Sequence, residues 1–167
     1  AGVLAVEGVN ISLSTHTHDT DIDRLKVGSG AYAGGAAALL DSIAVTLAAD
    51  DVLEVFYYAM KNTNALNGAL SLQNYTDGVV LQSYPAMGAA EYIMGKTTLQ
   101  QAQESATKVV GVEEGIRSTA ATTGIHNLAK TTVTTSWTGA WTLGLYLADT
   151  AAGVVNWLWS VWRRKAA

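Results

Sequence analysis

Hydrophobic and polar residues alternate near the start of the chain. Val9, Ile11 and Leu13 are each separated by one polar residue. A period of two places these side chains on one face of an extended segment, which is typical of a half-buried strand. We therefore predict an N-terminal strand that begins near Val3.

Helical spacing dominates the middle of the chain. The segments concerned are residues 36–49, 52–60, 86–94 and 97–117. In the last of these, Leu99, Ala102 and Val109 share a rough face with polar residues opposite, so we predict an amphipathic helix. Residues 52–60 keep a second interpretation, because β-branched and aromatic residues are also typical of strands.

One hairpin is predicted inside this mostly helical region. Two short apolar runs, residues 69–72 and 79–81, are separated by a polar segment that ends in Asp77 and Gly78. An Asp-Gly pair readily adopts the positive φ angles that tight hairpin turns require. We predict a hairpin over residues 69–81.

The longest apolar stretch, residues 131–162, contains one formal charge, at Asp149. As a helix it would place Trp137 and Trp159 about 33 Å apart at about 1.5 Å per residue, close to the bilayer's apolar thickness of about 30 Å. Indole rings favour the membrane boundary, and basic residues favour the cytoplasmic side. The predicted membrane-interface residues are Trp137, Trp141, Trp157, Trp159, Trp162, Arg163, Arg164 and Lys165.

Small or polar residues recur at every fourth position of the same stretch. The predicted packing row consists of Ala140, Gly144, Ala148, Ala152 and Asn156. On a helix these residues would form a surface that a second helix can approach closely. Two alternatives remain: a buried core helix, and strands, because residues 131–135 are β-prone and residues 137–147 can continue as a strand.

Composition points to a covered surface. Hydrophobic residues make up 49% of the 167 residues and charged residues 14%, against a usual charged share of about 25%. So few charges leave apolar surface that subunits or lipid would have to cover. Residues 1–60 contain eight acidic and two basic residues, which argues against a nucleic-acid surface there because phosphate would be repelled.

One cluster is dense in potential metal ligands. His16 and His18 would point the same way on an extended chain, with Asp19 beside them, so a transition-metal site is conceivable. A hydrolytic metal centre would need more ligands from distant strands, and His126 is the only other histidine. A solvated polar loop is the simpler interpretation. The absence of cysteine excludes disulfides and thiolate metal sites.

Together these patterns predict a mainly α fold with a minor β component, consisting of the N-terminal strand and the hairpin, and a long apolar C-terminal helix. We expect residues 1–130 to form a globular or assembly domain and residues 131–167 an apolar helix with a basic end. The predicted function is a non-enzymatic, self-assembling surface protein: a virion coat, filament or envelope component. Its expected partners are copies of itself and a lipid membrane, with no cofactor or small-molecule substrate. The expected location is a membrane, the extracellular space or a virion surface. The alternative is a small metal-binding or hydrolytic domain that uses the histidine cluster.

Overall fold

Buried and exposed residues alternate along most of the described part of the chain. The computed structural model describes residues 22–33, 35–62, 69–118, 123–148 and 154–165. Strands make up 79% of this part, and it contains no helix. The strands are β1 (Ile22–Ala33), β2 (Ala38–Leu47), β3 (Val52–Lys61), β4 (Ala69–Asn74), β5 (Val79–Ser83), β6 (Tyr92–Ala102), β7 (Ser105–Ser118), β8 (Thr123–Thr134), β9 (Gly139–Ala148) and β10 (Val154–Arg164).

The strands form two antiparallel sheets. The six-stranded sheet has the order β1-β10-β3-β6-β7-β8, and the four-stranded sheet has the order β2-β9-β4-β5. Each sheet sends alternate side chains into one shared hydrophobic core, for example Leu53 and Trp159 from the first and Leu72 and Leu145 from the second. Burying one side of each sheet against the other is the usual solution for antiparallel sheets.

The predicted mainly α fold is wrong. Residues 36–49 contain β2, residues 52–60 lie in β3, and residues 97–117 form the β6–β7 hairpin, whose turn is at residues 103–104. Within residues 86–94, a turn at residues 89–90 precedes the start of β6. For residues 52–60, the strand alternative is the one confirmed.

The long apolar C-terminal helix is also contradicted. Residues 131–134 end β8, and the stretch continues as β9 and β10. A four-residue repeat is an even number, so it places residues on one face of a strand as well as on one side of a helix. The repeat therefore could not decide between the two, and the strand alternative is confirmed. Within the described ranges, no helix has the length and apolar character needed to cross a membrane.

The predicted hairpin at residues 69–81 is confirmed. Strands β4 and β5 pair antiparallel on either side of a turn at residues 75–78. Gly78 has a φ angle of 68°, which is the left-handed conformation that glycine adopts at little cost. The N-terminal strand predicted from Val3 lies outside the described residues.

A polar contact joins the two sheets beside β1. Lys26 on β1 donates to Asp41 on β2 at 2.8 Å, and the indole nitrogen of Trp159 on β10 donates to the other oxygen of Asp41 at 2.9 Å. Burial raises the pKa of Asp41, but the hydrogen bonds from Lys26, Trp159 and the Ser42 amide outweigh it, so the net pKa is lowered. The carboxylate therefore ties β1, β2 and β10 together.

Candidate functional site

Both faces of the six-stranded sheet carry apolar side chains. On β3, Leu53 and Val55 are buried in the core, whereas Phe56 points the other way and is 44% exposed. Paired residues of neighbouring strands point to the same side, so the register extends this second face across the sheet. We call the side away from the core the outer face. Antiparallel sheets usually have a polar face towards water, and this one departs from that rule.

One row of large apolar residues crosses four strands of the outer face. Leu158 on β10 pairs with Tyr58 on β3, Tyr58 pairs with Met94 on β6, and Met94 pairs with Ile116 on β7. Leu158 is 47% exposed and Met94 is 42% exposed. We call these four residues the apolar row.

More aromatic and apolar residues flank the apolar row. Phe56 lies on one side of it along β3, and Met60 lies on the other, paired with Tyr92 on β6. The rings of Tyr58 and Tyr92 have centroids 6.1 Å apart, with 30° between their planes. The apolar area is therefore continuous and reaches beyond a single row.

Charged residues on the outer face have both signs and lie both at its edges and on its central strands. They are Arg24, Glu54, Lys96, Glu114, Lys130 and Arg164. Lys96 and Glu54 form an ion pair at 3.6 Å, and the guanidinium of Arg24 lies 5.9 Å from the ring centre of Trp162. Since the charges are mixed, the face does not select a strongly acidic or strongly basic partner.

The outer face of the four-stranded sheet is built differently. Ala44 and Ala140 are exposed there, and Gly144 is buried. A Cβ added to Gly144 would lie 2.8 Å from the tip of Leu39 and 3.5 Å from Cβ of Tyr75. The missing side chain thus leaves room for Leu39 to lie down on the sheet, so the chain itself covers part of this surface.

The predicted packing row is divided by the structure. Ala140, Gly144 and Ala148 lie on the outward side of β9. Asn156 lies on β10 in the other sheet, exposed on its outer face. Ala152 lies outside the described residues. These residues therefore do not form a helix surface.

The five tryptophans occupy different environments. Trp137, Trp141 and Trp159 are buried in the core, and Trp157 packs against it. Trp162 is half-buried on the outer face beside Arg24. The indole nitrogen of Trp141 donates to the carbonyl oxygen of Trp137 at 2.9 Å.

The C-terminal basic residues are mainly engaged with the chain itself. Arg163 forms an ion pair with Asp23 and donates to the carbonyl oxygen of Thr46 at 2.9 Å. Lys165 lies 3.1 Å from the same Asp23 carboxylate. Hydrogen bonds from Arg163 and Lys165 lower the pKa of Asp23. Arg164 is exposed.

A buried polar network crosses the core side of the six-stranded sheet. Glu113 on β7 accepts a hydrogen bond from the Tyr57 hydroxyl at 2.5 Å and one from the Gln82 amide at 3.3 Å. Thr131 donates to Gln82 at 3.0 Å. Burial raises the pKa of Glu113, although the bonds from Tyr57 and Gln82 pull it down. Burial and the nearby carboxylate also raise the pKa of Tyr57.

This network was not predicted from the sequence. Glu113 and Glu114 are adjacent, and only the strand alternation shows that the first points into the core and the second to solvent. Glu113 is 1% exposed, so its carboxyl does not face an open cleft. Its hydrogen bonds connect β7 with β3 and with β5 of the other sheet, which makes it a link within the core.

The predicted metal ligands His16, His18 and Asp19 lie outside the described residues. His126 belongs to β8. In the part of the chain that the structure describes, no group of three or more His, Cys, Asp or Glu side chains is placed to hold a metal ion.

No family model matches the chain, and no curated protein matches it. Among solved structures, it is similar to the CBM2 module of the evolved Dit of Lactobacillus casei BL23 phage J-1. That likeness has a TM-score of 0.32 and 12% identity, and it covers 74% of this chain and 68% of that chain. A similarity this weak supports no conclusion about fold or function.

Proposed function

We propose that the chain is a non-enzymatic structural protein that assembles with copies of itself, as a coat, filament or surface component such as that of a virion. The observation that supports this proposal is the apolar outer face of the six-stranded sheet. Large hydrophobic residues are at least 41% exposed at seven described positions, and five of these lie on this face. The five are Ile22, Val27, Phe56, Met94 and Leu158.

Leaving such an apolar face in water costs free energy. Burying apolar surface contributes about 25 cal/mol per Å², and contiguous apolar patches above a few hundred Å² usually mark interaction sites. The low charge content adds to this argument, because only 14% of residues are charged. Self-association covers the face without requiring any other molecule.

The test is the mass of the purified chain in solution. We expect light scattering after size exclusion to give a multiple of 17.5 kDa, with dissociation only on strong dilution. A species of 17.5 kDa at every concentration up to the millimolar range would overturn the proposal.

A matched pair of variants locates the contact. Leu158→Lys places a charge in the apolar row, and we expect it to weaken assembly by about 30-fold, equivalent to about 2 kcal/mol for a central interface residue. Val80→Lys makes a similar change at a residue that is 41% exposed on β5 of the other sheet, and should leave assembly within about 3-fold, the scale of a peripheral contact. If both variants weakened assembly equally, the contact would not lie on the outer face.

A further inference from the structure

We infer that the contact unit of this assembly is a pair of copies whose six-stranded sheets pack outer face to outer face, about a two-fold axis that runs parallel to the strands between β3 and β6. This inference rests on the proposed self-assembly and adds the partner surface and the geometry. The two strands in question are neighbours at the centre of the sheet.

The size of the face fits a two-copy contact. β10 and β3 pair over ten residues, and the sheet has six strands. At about 4.8 Å between strands and about 3.4 Å per residue, the face measures about 24 Å by 34 Å, or about 800 Å². A standard stable interface buries about 800 Å² on each partner. One whole face against another therefore supplies what a stable pair needs.

The distribution of side chains fits an axis parallel to the strands. Such an axis places β3 of one copy over β6 of the other, and β10 over β7. Each cross-strand row then faces the same row of the other copy. Tyr58 then meets the partner's Met94, and Leu158 meets the partner's Ile116. A thioether against an aromatic ring and two branched aliphatic side chains are both favourable contacts. The central apolar row is thus complementary to itself.

The neighbouring rows fit the same exchange. Phe56 pairs with Lys96 within one sheet, so the axis brings Lys96 over the partner's Phe56, where a cation and an aromatic face attract. The like charges Arg24 and Lys130 come together only at the outer edges of the sheet, on β1 and β8, where water can solvate both.

A second possible axis, perpendicular to the strands, predicts a different contact. Centred on the apolar row, it would place Leu158 against the partner's Leu158. It would also leave the rows that contain Glu54 and Val52 beyond the end of the other sheet, because the apolar row is not in the middle of the strands. Centred instead on the row of Phe56, the perpendicular axis would cover all the rows but would place Lys96 against the partner's Lys96, and for that reason we prefer the axis parallel to the strands.

Single cysteines can distinguish the two geometries, because the chain contains no cysteine of its own. We would prepare Leu158→Cys and Ile116→Cys, treat each alone and both together with a bis-maleimide of about 8 Å reach, and analyse the products by denaturing electrophoresis. With sheets about 10 Å apart, we expect a covalent pair when the two variants are mixed, and at least 5-fold less from either one alone. Mixing Leu158→Cys with Val80→Cys is the control and should give no pair.

The outcomes separate this inference from the proposed function. Efficient cross-linking of Leu158→Cys to itself, or no cross-linking in a sample that light scattering shows to be assembled, overturns the geometry and leaves self-assembly standing. A monomeric wild-type chain overturns both. If Ile116→Cys, which replaces a half-buried residue, does not fold by circular dichroism, Ser160→Cys mixed with Glu114→Cys provides the same test on the same two strands, β10 and β7.

Discussion

The outer face of the six-stranded sheet presents Leu158, Tyr58, Met94 and Ile116 in one row, whereas the outer face of the four-stranded sheet presents exposed alanines at Ala44, Ala140 and Ala148. The inner faces of the two sheets are alike, because both fill one hydrophobic core. The two outer faces therefore differ in what they present to their surroundings.

The two sheets differ in whether the chain itself covers their outward apolar residues. On the four-stranded sheet, Gly144 leaves a space that Leu39 fills, so the chain partly buries its own leucine. On the six-stranded sheet, no described residue lies over Leu158 or Met94 to a comparable degree, and both are more than 40% exposed. The fold covers part of the first face, and we propose that another copy covers the second.

Of the changes considered, replacing one glycine of each sheet by alanine should give the largest difference in the free energy of unfolding. A Cβ at Gly95 of β6 would lie 2.7 Å from Cα of Gly115, and still closer to the carbonyl oxygen of Glu114. Backbone atoms cannot move aside, so we expect Gly95→Ala to lower the free energy of unfolding by about 3 kcal/mol. The Cβ of Gly144→Ala would be too close only to the flexible end of Leu39, so this variant should cost about 1 kcal/mol or less.

Urea denaturation of both alanine variants at equal protein concentration measures the difference. The wild type should be followed at several concentrations, because assembly adds to apparent stability. Equal losses of unfolding free energy in the two variants would mean that Leu39 over Gly144 is as rigid as the backbone beside Gly95.

Replacing the buried carboxyl of Glu113 should change the free energy of unfolding by less, and the change should depend on pH. Burial raises the pKa of Glu113 in the folded protein, so the folded state holds a proton that the unfolded state has already released. The stability linked to this group is therefore present below the ordinary carboxyl pKa and lost as pH rises through the raised value. We expect the unfolding free energy of Glu113→Gln, relative to wild type, to increase with pH across this window.

Chemical denaturation of both proteins at a series of pH values gives this difference directly. Asp23, Asp41 and Glu91 have lowered pKa values and act in the opposite direction, but they are present in both proteins and cancel in the difference. Glu114→Gln controls for the loss of one carboxyl at the next position. A difference that decreases with pH would show that the hydrogen bonds from Tyr57 and Gln82 outweigh burial.

The ion pair on the outer face should have the smallest effect on folding. Glu54 and Lys96 are 3.6 Å apart, and each side chain is about a third exposed. Exposed pairs of this kind contribute about 0.2–1 kcal/mol, so we expect Glu54→Gln to change the free energy of unfolding by about 0.5 kcal/mol or less. Thermal unfolding of variant and wild type at low and high salt, in solutions dilute enough for the assembly to dissociate, would measure the change. A loss above about 1 kcal/mol would mean that the pair is desolvated within the single chain.

The candidate site could not have been assembled from sequence neighbours. Tyr58 and Leu158 are one hundred positions apart, and only the antiparallel register of β3 and β10 makes them a pair. The predicted packing row around Gly144 lies mostly on β9 of the other sheet. Among its described members only Asn156 lies on the outer face. The self-assembling function remains a prediction, now attached to a surface that sequence spacing did not indicate.

The sequence by itself determined the features that depend on a few adjacent residues or on composition. The turn that ends at Gly78 follows from the local chemistry of Asp77-Gly78, and the scarcity of charge meant that apolar residues had to occupy part of the surface. The tertiary structure alone decided between helix and strand for residues 97–117 and 137–147. The repeat of four residues at Ala140, Gly144 and Ala148 suits both conformations. In both segments, pairing with distant strands selects the strand. The tertiary structure also decided which face of β3 enters the core. That choice depends on the packing of a second sheet, which no local pattern describes.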